Sequence, residues 1–315
     1  MKISIGTEGV LGIRKIKMDA VPTTAYLMMG TCCSNDCVFC PQARSSRAGE
    51  HLLSRVSWNS TSTNVWPLIE KSFRKNKIKR ACIQVVNQPG ISELLEKELI
   101  KYRKSTNIPL CISGGANSIE DVDKLIKLGA DRIGIALDAA TPEIYRRVKG
   151  LDFLKRLYLL EKAAVKYPGK ISTHLIAGLG ETEEEMIEMI QAMYDKDINV
   201  ALFAFTPVSG TLMEYHQPPE IGSYRRIQIG HYLIKEKICQ KDDIVFENGE
   251  MKKLPLTFES LIESAQDMPF MTTGCPGCNR PYYNEKPGGT MYNYPREMTS
   301  EEIKKAYEEC GLYFL

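Results

Sequence analysis

Residues 25–40 read AYLMMGTCCSNDCVFC: a short apolar run, a glycine, then cysteines at 33, 37 and 40 in the spacing CxxxCxxC. The apolar run has strand length, and the cysteines sit on the loop that leaves it. Three thiolates on one short loop can hold three irons of a cubane cluster and leave the fourth iron without a protein ligand. An open iron can bind a small molecule, whereas a closed four-cysteine site would only transfer electrons. Zinc usually takes four ligands, often in CxxC pairs, and a single CxxxCxxC on a strand-to-helix loop fits that poorly. Cys33, Cys37 and Cys40 are therefore read as ligands of a 4Fe–4S cluster. Phe39 is placed to pack over it. Cys32 is expected to point away from Cys33 and to be a non-ligand.

Outward from this loop, strand-like and helix-like segments alternate. Further apolar runs lie at 81–86 (ACIQVV), 109–112 (PLCI), 132–137 (RIGIAL), 171–177 (ISTHLIA) and 200–205 (VALFAF). Helical periodicity lies between them, at 92–102, 118–128, 154–166 and 183–194. Asp152 and Thr182 stand where N-caps belong, and Gly129 where a helix C-terminus favours glycine. About six βα units predict an α/β fold: a parallel sheet curled into a partial (β/α)6 TIM-like barrel, with ligands at the carboxyl ends of the strands. The pattern lapses after about Leu254. The division expected is a barrel over 1–255 and an irregular C-terminal extension over 256–315. That extension carries Cys275-Pro-Gly-Cys278 and a final helix at 300–310.

The 315 residues are 43% hydrophobic with a net charge of +2. This supports a sizeable core and gives no charge bias towards nucleic acid. The densest basic run, KSFRKNKIKR at 71–80, reads as a solvated helix end and strand approach. The N-terminus lacks a signal-peptide pattern and no run approaches membrane-spanning length, so a cytoplasmic protein is expected. There the ten cysteines stay reduced, available for metals or chemistry.

CxxxCxxC after the first strand of a six-unit barrel resembles the radical S-adenosylmethionine (SAM) superfamily, over roughly residues 20–250. The resemblance implies that the open iron binds SAM, and that one electron cleaves it to methionine and a 5′-deoxyadenosyl radical that abstracts hydrogen from an unactivated carbon. The GLGET sequence at 178–182 is similar to one found after strand five in the biotin-synthase-like branch, near the SAM adenosine. On that resemblance Gly178, Gly180 and Glu181 become cofactor-binding candidates, as does Asp138 at the end of strand four, beside the ribose. Arg156 matches the spacing of an arginine near the SAM carboxylate, with a surface arginine as the alternative. Two departures from biotin synthase stand out. Ala136 replaces an asparagine, and VNQPG at 86–90 replaces a Gly-Gly-Glu sequence common in the superfamily.

Cys82 and Cys111 match two of the three strand cysteines that hold an auxiliary cluster in biotin synthase; the third position falls near Ser172. Together with Cys275 and Cys278 they form a candidate second iron–sulfur site; the alternatives are buried small side chains for Cys82 and Cys111, and half a zinc knuckle or a disulfide for the CPGC pair. His174 is a barrel-facing candidate for substrate contact or proton relay, or a core histidine. Cys239 and Cys310 read as packing residues. The chain most resembles the two-protein lipoyl synthase pair, the member that inserts the first sulfur. That resemblance implies an octanoylated lipoyl-carrier protein as substrate, a companion radical SAM synthase, and ferredoxin or flavodoxin as reductant. Other biotin-synthase-like enzymes remain open, as a biotin synthase variant or a hydrogenase-cofactor maturase, and so does a non-catalytic iron–sulfur or zinc protein.

Overall fold

The computed structural model describes residues 1–285 and 288–312. The chain opens with strand β1 (Lys2–Ser4) and helix α1 (Ile5–Val10), then β2 (Thr24–Met29), the hairpin β3 (Leu52–Leu53) and β4 (Val56–Ser60), and α2 (Trp66–Arg74). Strand–helix units follow: β5 (Arg80–Val85), α3 (Ile91–Ser105), β6 (Leu110–Ser113), α4 (Ile119–Lys127), β7 (Arg132–Gly134), α5 (Pro142–Lys149), α6 (Phe153–Lys166), β8 (Ile171–Ala177), α7 (Glu183–Tyr194), β9 (Asn199–Ala204) and α8 (Ile221–Lys235). The hairpin β10 (Val245–Glu247) and β11 (Glu250–Lys253), α9 (Phe258–Ala265) and α10 (Ser300–Cys310) complete the described elements.

The six apolar runs become β2, β5, β6, β7, β8 and β9, each parallel to the next in sequence order. A sheet wound in one direction, with helices between its strands, curls into the expected partial barrel. The unforeseen part is an antiparallel edge: β1 pairs with β2 and β4, lengthening the sheet to nine strands. Helix starts follow the sequence signals. Thr182 and Glu185 form a capping box at α7, and Asp152 caps α6 through the Lys155 amide.

The fourth strand is shorter than its apolar run. β7 ends at Gly134, and the Thr173 hydroxyl then bonds both the Ile135 carbonyl (3.0 Å) and the Leu137 amide (3.1 Å). Asp138 rejoins β8 through the His174 carbonyl, with φ at +69°. A non-glycine residue held in that region costs about 1 kcal/mol or more, and such positions gather at functional sites.

A partial barrel leaves a gap between its first and last strands, and the C-terminal extension spans it. On one side the Leu202 amide donates to Thr273 Oγ1 (2.9 Å), and Asn284 Nδ2 donates to the Ala204 carbonyl (2.6 Å). On the other, Thr23 donates to the Gly277 carbonyl (2.7 Å) and the Arg280 amide to the Tyr26 hydroxyl (2.9 Å). Nearer the strand ends, the Arg47 amide reaches the Gly210 carbonyl (2.8 Å), strapping the cysteine loop to the segment after β9. A Cβ on Gly210 would lie 2.5 Å from the Ala48 nitrogen, so only glycine fits. No helix among the described residues is long and apolar enough to cross a membrane.

Candidate active site

The cysteine loop leaves β2 and is fastened at several points. The Ser34 amide donates to the Asn87 carbonyl (2.6 Å), the Val38 amide to the Val148 carbonyl (2.9 Å), and the Cys40 amide to the Cys37 carbonyl (3.0 Å). The VNQPG segment thus grips the loop through backbone, and Gln88 Oε1 accepts from the Thr31 amide (2.7 Å). Cys33, Cys37 and Cys40 lie close enough to influence one another electrostatically, while Cys32 is exposed. Burial pushes the Cys37 thiol up to about 11 and the Cys40 thiol to about 12, so neither is a thiolate at neutral pH without a cation. Loading metal there must displace protons. No group of three or more histidine, cysteine or acidic side chains among the described residues is arranged to hold a metal ion. A cubane makes a different demand: each thiolate binds its own iron, so its ligands need not converge on one point.

Beside this loop lies a buried ion pair. Lys149 Nζ donates to Asp138 Oδ2 at 2.5 Å, and both residues are less than a tenth exposed. Burial opposes the ammonium, but the Asp138 carboxylate and the Cys37 sulfur outweigh it and raise the Lys149 pKa. The two chain neighbours Val148 and Lys149 therefore tie the cysteine loop and Asp138 to one helix end. Arg156 is not a surface arginine. Its guanidinium donates to the Ala116 carbonyl (2.9 Å) and lies within electrostatic reach of Asp138 and Cys37, with burial lowering its pKa.

The GLGET loop leaves β8 at the same end of the sheet. Glu181 turns back, accepting from the Gly178 amide (2.6 Å) and the Leu179 amide (3.0 Å), which makes it a brace for its own loop. Gly178 and Gly180 have φ of +98° and +111°; a Cβ on Gly180 would sit 2.5 Å from the Arg147 guanidinium. Arg147 in turn donates to the Leu179 carbonyl (2.6 Å).

Deeper in the barrel, Cys82 and Cys111 are register partners on adjacent strands, with Tyr26 alongside on β2. The extension brings Cys275 and Cys278 to them. The Cys111 thiol is within hydrogen-bond reach of both Cys82 and Cys275, and the Tyr26 hydroxyl is 3.2 Å from Cys278 Sγ. Gln84 Nε2 donates to Cys82 Sγ (3.1 Å). Arg80, from the basic run read as solvated, is 4% exposed and faces Cys275 and Cys111 electrostatically. It donates to the Pro276 carbonyl (3.1 Å) and to Asp131 (2.9 Å), but its Nε has no partner among the described residues. An unpaired buried donor beside the Cys275 and Cys111 sulfurs fits an anionic occupant.

One cavity of about 180 Å³ joins these two sets: Cys40 and Asp138 line it, and so do Cys82, Cys111, Cys275 and Cys278. Ser172, at the strand-five position, lines it too, but its hydroxyl turns to the Ile133 carbonyl. His174 lines the wall, edge-on to Phe203 (5.2 Å), and the Arg280 guanidinium lies 4.1 Å from the centre of the same ring. Sequence reading missed Lys149, Arg80 and Arg280; their only signals were adjacency to the helix-ending Gly150, to Cys82 on the same strand, and to the CPGC pair. Cys239 and Cys310 are buried in the main core, as expected of packing residues.

Burial lowers the His174 pKa to about 4. An unfolded histidine titrates near ~6.5, so between about 4 and ~6.5 the unfolded chain binds the proton more readily. The resulting stability is present above ~6.5 and is lost as pH falls towards 4. The metal-free protein should accordingly show a His174 ring signal that stays neutral down to about pH 5 in an NMR titration. A midpoint near 6.5 would show that the ring is solvated instead.

The profile of the radical SAM superfamily matches residues 27–193, more than half of the chain. The chain belongs to that superfamily, and membership implies a 4Fe–4S cluster and SAM. It is 27% identical over 183 residues to a biotin synthase of Sulfurihydrogenibium sp., covering 57% of this chain and 53% of that protein. It is 21% identical over 233 residues to a lipoyl synthase of Caldanaerobacter subterraneus subsp. tengcongensis, covering 72% and 74%. Among the first matched relatives the chain spans between 28% and 53% of their length. The fold is shared with the crystal structure of methylornithine synthase, with a TM-score of 0.54 at 16% identity over 68% of this chain and 62% of that one.

Proposed function

We propose that this enzyme inserts sulfur into an unactivated carbon of a protein-bound octanoyl chain, as a lipoyl synthase does, with sulfur drawn from a second iron–sulfur cluster. The observation that carries the reading is the shared cavity: Cys82, Cys111, Cys275 and Cys278 face the same lumen as Cys40 and Asp138. A radical formed at the strand ends would meet a sulfur source a short distance below. The similarity to lipoyl synthase and biotin synthase chains supports the same chemistry.

Cys33, Cys37 and Cys40 would hold the first cluster, which supplies the electron for SAM cleavage. Asp138, oriented by Lys149, would accept hydrogen bonds from the ribose hydroxyls. Arg156 would face the SAM carboxylate, and the Gly178–Glu181 turn would shape the adenosine end. Neutral His174 and the Phe203 ring keep the lumen weakly polar, and Arg80 offsets thiolate charge at its floor. The macromolecular partners on this reading are an octanoylated carrier domain, a companion synthase and a ferredoxin or flavodoxin.

Anaerobic reconstitution, iron and sulfide analysis, and turnover with an octanoyl-lysyl peptide test the proposal. About eight irons per chain and a thiolated product are expected. The double variant C275A/C278A should retain about four irons and SAM cleavage but transfer no sulfur. About four irons in the unaltered protein, with no thiolated product, would rule sulfur insertion out.

A further inference from the structure

A second cavity, of about 560 Å³, lies between the N-terminal segment and the turn 281–285, and it shares two wall residues with the lumen, Tyr26 and Tyr283. Its other walls include Ile5, Ile16, Met18 and Val56, so it is largely apolar, with Lys17 and Arg55 among its charged groups. Its size falls within the ~300–1,000 Å³ of ordinary ligand pockets, whereas the 180 Å³ lumen is smaller than that range. A chain that reaches the lumen must keep most of its length elsewhere.

The two shared tyrosines differ in how they are held. Tyr26 is fixed at its tip, its hydroxyl accepting from the Arg280 amide (2.9 Å) and lying 3.2 Å from Cys278 Sγ. Tyr283 is hydrogen-bonded through its backbone, where Ser54 Oγ donates to its carbonyl (2.5 Å) and its amide donates to the Arg280 carbonyl (3.4 Å). Its ring is 5.8 Å from that of Tyr26 and 6.4 Å from that of Phe203, and its hydroxyl is buried without a hydrogen-bond partner among the described residues. Turning this side chain therefore breaks no hydrogen bond. The turn that carries it also holds two non-glycine residues at positive φ, Arg280 (+33°) and Tyr282 (+64°). Strained backbone of this kind recurs at clamps and switches.

We propose that the second cavity is the entry channel for an apolar chain carried on a protein side chain, with Tyr283 as the gate and Tyr26 as its fixed post. This rests on the sulfur-insertion reading, and it adds the route. The strand ends, where the cysteine loop is strapped to Gly210, belong to SAM and its cluster. A tethered chain arriving through the side cavity would reach the lumen beside Cys82 and Cys278 without displacing either. A carrier domain would remain outside, near the exposed apolar residues Ile5, Ile13 and Val21.

The test places tryptophan in the side cavity at positions that do not line the lumen: Ser57→Trp on β4, and Ile16→Trp on the facing loop as a second plug. Each variant, reconstituted with its iron counted, is compared with the unaltered enzyme for SAM affinity and for 5′-deoxyadenosine formed without substrate. Binding of a fluorescent octanoyl-lysyl peptide and its thiolation are then measured. The expected result is unchanged iron, SAM affinity and substrate-free cleavage, with peptide affinity and thiolation both down at least about tenfold. Plugged enzymes that bind and thiolate the peptide as well as the unaltered one would overturn the channel and leave the sulfur-insertion reading standing. An unaltered enzyme that neither binds nor thiolates the peptide would overturn both.

Discussion

Cys37→Ala protein, reconstituted anaerobically and reduced, is expected to form no 5′-deoxyadenosine from SAM above background, while still folding. The thiol is two residues from Phe39 and sits between Cys33 and Cys40, so its loss leaves two ligands for a cluster that needs three from the protein. The backbone of the loop does not depend on this side chain. Val38, Ser34 and Cys40 are held through main-chain bonds to Val148, Asn87 and Cys37, and alanine preserves them all. Circular dichroism and thermal unfolding of the metal-free variant should therefore match the unaltered protein. Iron content should fall by about four atoms per chain, the cubane's complement. Continued SAM cleavage by this variant would remove the cysteine loop from the reaction altogether.

Lys149→Met should be the most damaging single change that touches no cysteine. Methionine fills much of the volume but leaves the Asp138 carboxylate buried without its cation. Removing one partner of a buried pair typically costs ~3–5 kcal/mol, because the remaining charge is uncompensated. For a chain of this size that corresponds to a fall in Tm on the order of 10 °C. Adding Asp138→Asn to Lys149→Met should recover part of that stability, since the orphaned charge is gone, but should not restore SAM affinity. Equilibrium unfolding of the three variants gives the coupling energy, and equilibrium dialysis gives the affinity for SAM. If Lys149→Met unfolds like the unaltered protein, the pair is solvated in solution and cannot orient the carboxylate.

Much of the barrel was legible because parallel strands buried on both faces read as continuous apolar runs. ISTHLIA matched β8 residue for residue, and AYLMM fell within β2. RIGIAL did not stop at Gly134 on paper. Its strand character was interrupted by the hydroxyl of Thr173, a residue 36 positions from Leu137, and local pattern cannot report such a contact. The strand Lys2–Ser4 is three residues long and too short to show alternation. Helix α8 was hidden for the opposite reason. It is covered on most sides, and its polar residues Arg225, Gln228 and His231 are buried rather than arrayed on a solvated face. Arg225 alone bonds Glu309, Gln228 and the carbonyls of Met291 and Tyr292. In the site, cysteines announced themselves through spacing. Lysines and arginines carry no such signature, so Lys149 and Arg80 emerged only when the chain brought them to Asp138 and Cys111.

The extension that spans the barrel gap also sets an order of events during synthesis. The cysteine loop and the strands carrying Cys82 and Cys111 emerge from the ribosome well before residues 272–285. Domains generally begin to fold from the N-terminal side as they are made. Until the last part of the chain arrives, the gap between β2 and β9 is unspanned, and the barrel interior is open to whatever delivers iron and sulfide. Docking of the CPGC turn then completes the deeper sulfur set and narrows the opening in one motion. On the proposed reading, maturation of the inner site is tied to closure of the barrel, and the outer cysteine loop can be loaded before it or after it.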